Sequence, residues 1–195
     1  EFVHPDSTES VIQRMKEVVL DDHASQIAEE KLITISGEMV YAELKAIPTL
    51  FNHQNAVQVI IHDITERKRT QEKIKQLSQA VEQSPVAIVI TNTSGAIEYV
   101  NPKFIETTGY SYDEIIGNNP RFLKSGHTTP NEYKHLWQTL TSGNEWYGEF
   151  HNKKKDGTLY WESASISPIL NSQGITTHYI AIKEDITERK LIEQQ

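Results

Sequence analysis

The segment Glu145–Asn152 alternates apolar and polar side chains with a period of two, as a half-buried β-strand does. Its apolar face carries Trp146, Gly148, Phe150 and, at its end, Asn152. An amide at the end of an apolar face can both donate and accept hydrogen bonds, which suits the polar edge of a planar ring. The alternative is that Asn152 only caps the end of the strand before the following turn, and the residues alone leave both open.

The next strand carries a second group with usable chemistry. Tyr160, Glu162, Ala164 and Ile166 share one of its faces. This spacing predicts a carboxylate on the same interior side as the amide. An ionised carboxylate accepts hydrogen bonds but does not donate them, so Glu162 is a candidate acceptor for a ring N–H.

Composition and spacing argue against several other chemistries. The chain has 195 residues, a net charge of −8 and 0 cysteines. Without cysteine the chain has no disulfide and no cysteine nucleophile. Because its net charge is negative, a nucleic-acid surface is not expected. The 8 histidines form no His-x-x-x-His pair, which argues against zinc. We find no nucleotide-binding loop, phosphoacceptor box or Ser-His-Asp order, so we do not expect an enzyme. No apolar run is long enough to span a bilayer, so no direct membrane contact is expected.

The chain contains a long-period internal repeat. The string Asp-Ile-Thr-Glu-Arg-Lys occurs at Asp63–Lys68 and again at Asp185–Lys190, a separation of 122 residues (185 − 63). A second anchor relates Gly37–Tyr41 to Gly157–Trp161, 120 residues apart (157 − 37). A repeat of this length indicates one domain type used twice in series. We expect the first copy to be partial, because it has no counterpart of the stretch 86–126.

Hydrophobic periodicity and turn residues predict the elements of both copies. In the first copy we expect a helix over Thr8–Leu20 and strands over Gln26–Thr34, Met39–Phe51 and Ala56–His62. In the second copy we expect strands over Val86–Thr91, Ala96–Val100, Glu145–Asn152, Thr158–Pro168 and Thr176–Lys183, with three helices beginning near Asn101, Ser111 and Pro130. Strands separated by a helical run favour an α+β fold, with one five-stranded antiparallel sheet and short helices on one face.

Several spaced motifs within about residues 83–190 resemble the PAS sensor-domain family. They are Tyr99–Phe104, Thr108–Ser111, Glu114–Gly117, Lys155–Gly157 and Asp185–Arg189. The resemblance implies a sheet that cups a pocket roofed by short helices, without catalysis. It also implies a cytoplasmic signal-transduction role, for example in a two-component system, with output through flanking helices to a downstream domain. We expect the C-terminal part of a first PAS domain at 3–64, a connecting helix at 65–84, a complete PAS domain at 85–187 and the start of an output helix at 188–195.

The closest resemblance within the family is to flavin-binding members. Gly117–Lys124 is similar to the light-oxygen-voltage signature Gly-x-Asn-Cys-Arg-Phe-Leu-Gln, but Pro120 stands at the cysteine position, which excludes a flavin–thiol adduct. The string from Trp146 to Asp156 is similar to that of the FAD-binding, redox-sensing PAS domains of nitrogen-fixation regulators. The resemblance therefore implies an FAD site. We assign to it Asn152, Trp146, Phe150, Tyr160, Arg121 and Glu162, which stands where light-oxygen-voltage domains have a second Asn.

Some assignments have alternatives that the sequence leaves open. Arg121 either holds a cofactor phosphate or caps a helix C-terminus, and we expect Trp137 in the core. A haem is not favoured, because His135 does not match the family's ligand position. The rival to a ligand sensor is a cofactor-free dimerisation module whose pocket is filled by side chains.

The connecting helix predicts a homodimer. Asp63 with Glu66 three residues later is an N-cap signal, and the helix then carries one apolar stripe, Ile74, Leu77 and Val81. A single stripe on a charged helix is typical of a short coiled-coil seam between two chains. The alternative is a solvated connector that lies on its own domain.

Overall fold

The computed structural model describes residues 2–21 and 23–193 of the protein. The chain divides into two compact units between Gln76 and Leu77. The last two residues of the predicted output helix, 194 and 195, lie outside the described residues, as does Asp22.

The first unit is a helix packed on a three-stranded antiparallel meander. Helix α1 spans Pro5–Asp21, and strands β1, β2 and β3 span Ala28–Ile33, Met39–Phe51 and Gln54–Asp63, paired in the order β1-β2-β3. Asn52 and His53 have φ of 50° and 62°, which gives β2 and β3 a tight hairpin turn. Val11 of α1 is buried with Ala42 and Leu44 of β2.

The second unit confirms the predicted α+β fold class. Its elements are β4 (Ala87–Asn92), β5 (Ile97–Val100), α3 (Pro102–Thr108), α4 (Tyr112–Ile115), a 3₁₀ helix (Pro120–Leu123), α5 (Pro130–Thr141), β6 (Trp146–Lys153), β7 (Leu159–Leu170), β8 (Thr176–Asp185) and α6 (Thr187–Glu193). The five strands form one antiparallel sheet in the order β5-β4-β8-β7-β6. The chain forms β4 and β5 before the helical segment and β6, β7 and β8 after it. Strands β4 and β8 are therefore distant in sequence, but they are neighbours in the sheet.

Asn101 organises the start of this unit. Its side chain is fully buried, and its Oδ1 accepts from the backbone N–H groups of Ile88 at 2.8 Å and Phe104 at 3.2 Å. Its Nδ2 donates to the carbonyls of Val81 at 3.2 Å and Val86 at 2.9 Å. A single amide thus caps α3 and satisfies backbone groups on either side of the entry to β4.

The connecting helix α2 spans Thr65–Glu82, two residues shorter than the predicted 65–84. Asp63 is the last residue of β3, and its carboxylate accepts the backbone N–H of Thr65 at 2.8 Å. Asp63 therefore makes the strand-to-helix turn rather than a capping box with Glu66. The boundary between the two compact units, at Gln76 and Leu77, falls within α2. The domain limits 3–64 and 85–187 stay a prediction.

No helix within residues 2–21 and 23–193 is long and apolar enough to cross a membrane.

Candidate functional site

The second unit encloses a cavity of about 300 Å³ between the inner face of its sheet and the helices that cover it. This volume lies at the lower end of the range for small-molecule sites. The lining side chains come from β4, β6, β7, β8, α5 and the segment around the 3₁₀ helix, with Gly95 adding backbone. They are Val89, Thr91, Gly95, Asn119, Pro120, Arg121, Lys124, Tyr133, Leu136, Trp137, Leu140, Phe150, Asn152, Ile166, Tyr179, Ala181 and Lys183.

Element periodicity explains why these residues meet. On β6, the side chains of Phe150 and Asn152 are buried, whereas that of Glu149 is exposed. This is expected because successive side chains of a strand point to opposite faces of the sheet. Helix α5 presents Tyr133, Leu136, Trp137 and Leu140 at spacings of three, one and three residues, which is one face of an α-helix. The cavity walls are therefore mainly apolar and aromatic.

A buried polar cluster borders the cavity through Asn152 and Lys183. Glu162 is 3% exposed and accepts three hydrogen bonds from side chains. Its Oε1 accepts from Asn152 Nδ2 at 2.9 Å and from Lys183 Nζ at 2.5 Å, and its Oε2 accepts from Tyr160 Oη at 3.2 Å. Burial, together with the charge of Glu162, raises the pKa of the Tyr160 hydroxyl, so this group acts as a donor to the carboxylate. Paired charges and satisfied hydrogen bonds are what such burial requires.

Two exposed cations, Arg121 and Lys124, are among the residues that line the cavity. Lys124 Nζ stands 3.5 Å from the ring centroid of Tyr133, a cation–π contact. Arg121 lies in the 3₁₀ helix, whose first turn is capped by Asn119 Oδ1 accepting the Arg121 N–H at 3.1 Å. Within residues 2–21 and 23–193, the guanidinium of Arg121 has no ion-pair partner. A positive rim of this kind suits an anionic tail on a ligand.

Three of the six predicted site residues line the cavity. These are Asn152, Phe150 and Arg121. Trp146, Tyr160 and Glu162 are buried, but they lie behind the lining and support it. The indole of Trp146 packs against Phe150 with ring centroids 5.1 Å apart. Direct contact of these three with a ligand stays a prediction.

Sequence reasoning missed several lining residues. Trp137 was expected in the core, but it is 40% exposed and contacts Tyr179 edge-on at the cavity, with ring centroids 5.8 Å apart. Lys183, in β8, also lines the cavity. The signal that could have found it is its spacing, because Tyr179, Ala181 and Lys183 share the inward face of β8.

Comparison with known proteins identifies the family. A family described as PAS domain matches residues 1–66 and 85–188, so the chain belongs to the PAS domain family. A nitrogen fixation regulatory protein of Klebsiella oxytoca is 41% identical over 115 residues, which are 59% of this chain and 23% of that protein. A bacterioopsin transcriptional activator of Halobacterium salinarum is 32% identical over 120 residues, which are 60% of this chain and 18% of that protein.

The solved structures agree with the fold. The light state of the blue-light photoreceptor Aureochrome1 LOV has a TM-score of 0.51 and 28% identity, covering 62% of this chain and 97% of that chain. The chain spans less than a quarter of the length of either regulatory relative. It is thus a PAS sensory module related to regulatory and signal-transduction proteins, and PAS domains are sensory rather than catalytic modules.

Proposed function

We propose that the second PAS unit binds a flavin, FAD, in its cavity and serves as a redox sensor whose output passes through the flanking helices. The single observation that carries this proposal is the cavity of about 300 Å³ with aromatic walls, a buried amide and a cationic rim. FAD combines a planar ring with a polar edge and a phosphate-bearing tail. Such a molecule needs apolar faces, a few convergent polar groups and positive charge for its phosphates.

The residues present fit the parts of this molecule. The rings of Phe150 and Trp137 offer apolar contact to a planar ring. The amide of Asn152 gives one N–H to Glu162 and keeps its Oδ1 as an acceptor. Arg121 and Lys124 are exposed cations in the cavity lining, and either could pair with a phosphate of the tail.

The relatives belong to the two classes of protein that the sequence motifs resemble, and the flavin is what that resemblance implies. One is a nitrogen fixation regulatory protein, and one solved structure is a blue-light photoreceptor domain. The absence of cysteine from the sequence means that no flavin–thiol adduct can form in this chain, so redox state rather than adduct chemistry is the signal that we propose.

The rival function is a cofactor-free dimerisation module with a pocket filled by its own side chains. The cavity counts against it, because an interior of normal packing density leaves few voids larger than a water molecule. Within the described residues, no buried side-chain nitrogen or oxygen is left without a hydrogen-bond partner. The buried polar groups are therefore satisfied by other protein groups without a ligand.

The experiment is a titration of the apoprotein with FAD, followed by flavin fluorescence. We expect Asn152→Ala to weaken binding by about 1–3 kcal/mol, through loss of a buried donor and acceptor. The control is Asn144→Ala, which removes an exposed amide outside the cavity and should leave the affinity unchanged. Equal affinities of wild type and Asn152→Ala would remove Asn152 from the site, and no FAD uptake by the wild type would reject the function.

We also propose that the protein acts as a cytoplasmic homodimer that transmits to a downstream output domain of its parent protein. Ile74 and Leu77 on α2 are 62% and 60% exposed. With Val81 they continue a heptad-like spacing of three and four residues. Self-association would cover this stripe, and a second chain gives the helices a partner against which to move.

A further inference from the structure

Residues 124–129, which we call the strap, join two elements that line the cavity. The 3₁₀ helix Pro120–Leu123 precedes them and α5 follows them. Apart from an isolated backbone bridge between Lys124 and Asn152, the strap has no regular secondary structure. Lys124 and Asn152 both line the cavity. The attachment of the strap to β6 therefore holds part of the cavity wall in place.

Two side chains of the strap complete its attachment to β6. Ser125 Oγ donates a hydrogen bond to the backbone carbonyl of His151, and the ring centroid of His127 lies 4.4 Å from that of His151. Ser125 Oγ is also 3.0 Å from His127 Nδ1. Because the one hydroxyl proton of Ser125 is given to the carbonyl, His127 Nδ1–H is the donor in this second bond. These contacts meet β6 at two adjacent residues, His151 and Asn152, and so small a contact can open locally.

The ring of His151 packs against two other rings. It contacts His127 on the strap, and it stacks on Trp161 with an interplanar angle of 2°. A protonated ring is attracted to the face of an indole, but Lys190 Nζ already lies 5.4 Å from the centroid of Trp161, so a second cation gains less there. With both histidines protonated, two positive charges stand side by side and repel. Protonation therefore weakens the contact between His127 and His151, which attaches the strap.

The carboxylates around the two histidines are engaged with other partners. The charged groups on the elements around the pair are Lys124 on the strap, Glu132 on α5, Glu149 and Lys153 on β6, Glu162 on β7, and Arg189 and Lys190 on α6. Glu149 pairs with Lys190 at 2.7 Å. Glu132 belongs to the capping box of α5, and Glu162 to the buried polar cluster. In the part of the chain that the structure describes, none of the three forms an ion pair with either histidine ring. The doubly protonated pair therefore has no counter-ion.

Opening of the strap is linked to proton uptake at His151. Burial, and then the charge of His127, lower the pKa of His151 below its ordinary value of 6.5. When the strap opens, His127 moves away and the His151 ring meets water, so this pKa returns towards its ordinary value. The open form therefore binds a proton at higher pH than the closed form does. Below pH 6.5 the equilibrium constant for opening rises, by up to about tenfold per pH unit for one proton, until the pH reaches the pKa of His151 in the closed form.

We propose that the strap is an acid-released latch beside the cavity. Protonation of the His127–His151 pair detaches residues 124–129 from β6 and draws Lys124 away from the cavity lining. This device lies beyond the proposed function, because it is a property of the apoprotein and does not depend on which ligand the cavity accepts.

Hydrogen exchange of the apoprotein tests the latch at two amides. The Lys124 N–H bonds the carbonyl of Arg121 at 3.1 Å, and the His127 N–H bonds Ser125 Oγ at 3.4 Å. Their exchange is measured from about pH 7.5 to about pH 5.5, which brackets the ordinary histidine pKa, and is corrected for the intrinsic pH dependence of exchange. We expect the protection of both amides to fall by about tenfold across this range, while amides that pair β7 with β8 keep their protection.

Three variants separate the latch from a general effect of acid. His151→Gln cannot take up the proton, so the protection of the strap should no longer depend on pH in this range. His178→Gln is the matched control, because its ring bonds Thr177 and Glu98, and its strap should respond to pH as in wild type. Ser125→Ala removes another attachment, so the strap should be less protected already at the upper end of the range and should still respond to acid.

The side chain of Lys124 gives a second readout. Its Nζ lies 3.5 Å from the ring centroid of Tyr133, so the ring current shifts its proton resonances, and they should lose this shift at the pH at which the His151 ring titrates. Unchanged strap protection in wild type, an equal pH response in His151→Gln, or Lys124 resonances that do not move would each overturn the latch. Loss of protection between β7 and β8 at the same pH as in the strap would show unfolding of the whole unit and would overturn it too.

Discussion

The hydroxyl of Thr187 accepts a hydrogen bond from the backbone N–H of Trp161 at 2.9 Å. Thr187 is the first residue of α6, and Trp161 lies in β7, so this bond attaches the exit helix to the sheet that forms the cavity. The first unit repeats it, because Thr65 Oγ1 accepts the N–H of Tyr41 at 2.9 Å. The repeated Asp-Ile-Thr-Glu-Arg-Lys string therefore encodes a strand-to-helix junction with one geometry in both copies.

We predict that Thr187→Val will loosen this junction without changing the cavity. The variant loses two hydrogen bonds, the one accepted from the Trp161 N–H and the one donated to Asp185 Oδ1 at 2.5 Å, which should lower the free energy of unfolding by about 1–2 kcal/mol. Hydrogen exchange of the Trp161 amide should become faster, while FAD affinity stays at the wild-type value. Thr177→Val is the matched control, since its hydroxyl bonds the Ile169 carbonyl at 3.2 Å on the same sheet. Unchanged exchange at Trp161 in Thr187→Val would show that the hydroxyl does not hold the helix.

The close approach of Trp146 to Gly148 gives a second prediction. A Cβ on Gly148 would stand 2.3 Å from two atoms of the indole, so Gly148→Ala must displace the Trp146 ring. We expect a loss of about 1–3 kcal/mol in unfolding free energy and a shift in tryptophan fluorescence. In a Trp146→Leu background the added methyl should cost less. An equal cost in both backgrounds would mean that the indole is not the obstacle.

Stability should depend on pH through His151. This ring stacks on Trp161 with centroids 4.5 Å apart and lies 4.4 Å from the ring of His127. Burial, and then the charge of His127, lower the pKa of His151 below its ordinary value of 6.5. The unfolded chain therefore takes up a proton at this ring at higher pH than the folded chain does. The stability that the neutral His151 ring contributes is complete above pH 6.5, and it is lost as the pH falls through the pKa of His151 in the folded state.

Urea unfolding at a series of pH values checks this dependence. We expect the unfolding free energy to fall less steeply below pH 6.5 in His151→Gln than in wild type. His127→Gln should give an intermediate slope, because it removes the repulsion but not the burial. Parallel curves for wild type and His151→Gln would contradict the assignment.

The proposed homodimer predicts the effect of a charge in the α2 stripe. Leu77→Glu places a carboxylate in the seam and should shift the protein from dimer to monomer in sedimentation at micromolar concentration. Gln76→Glu adds the same charge one position away, off the stripe, and should leave the dimer intact. A wild-type monomer would reject the homodimer, and equal weakening by both variants would point to net charge rather than the seam.

Local rules predicted much of this fold from the sequence. The capping box of Ser111 and Glu114 and the left-handed C-cap at Gly109 both stand where the residues predicted them. Strand alternation correctly placed Phe150 and Asn152 on the inner face of β6. These features depend on residues close together in the chain, whose side chains fix the backbone directly.

The part that sequence reasoning missed depends on contacts between distant strands. A lysine at the end of an apolar strand is normally exposed, and Lys183 is buried because the register of β7 with β8 sets Glu162 within reach of it. That register is not encoded by either strand alone. The same holds for Trp137, since only the spacing between α5 and the sheet decides whether its ring fills a core or lines a cavity.

The absorption spectrum of the purified protein, after incubation with FAD and removal of unbound FAD, tests flavin binding most directly. We predict the visible absorption bands of a bound flavin at close to one equivalent per chain, bleached by dithionite and restored by air. Illumination should leave no lasting thiol adduct, because the sequence has 0 cysteines. A folded protein that stays colourless after this reconstitution contradicts the flavin function.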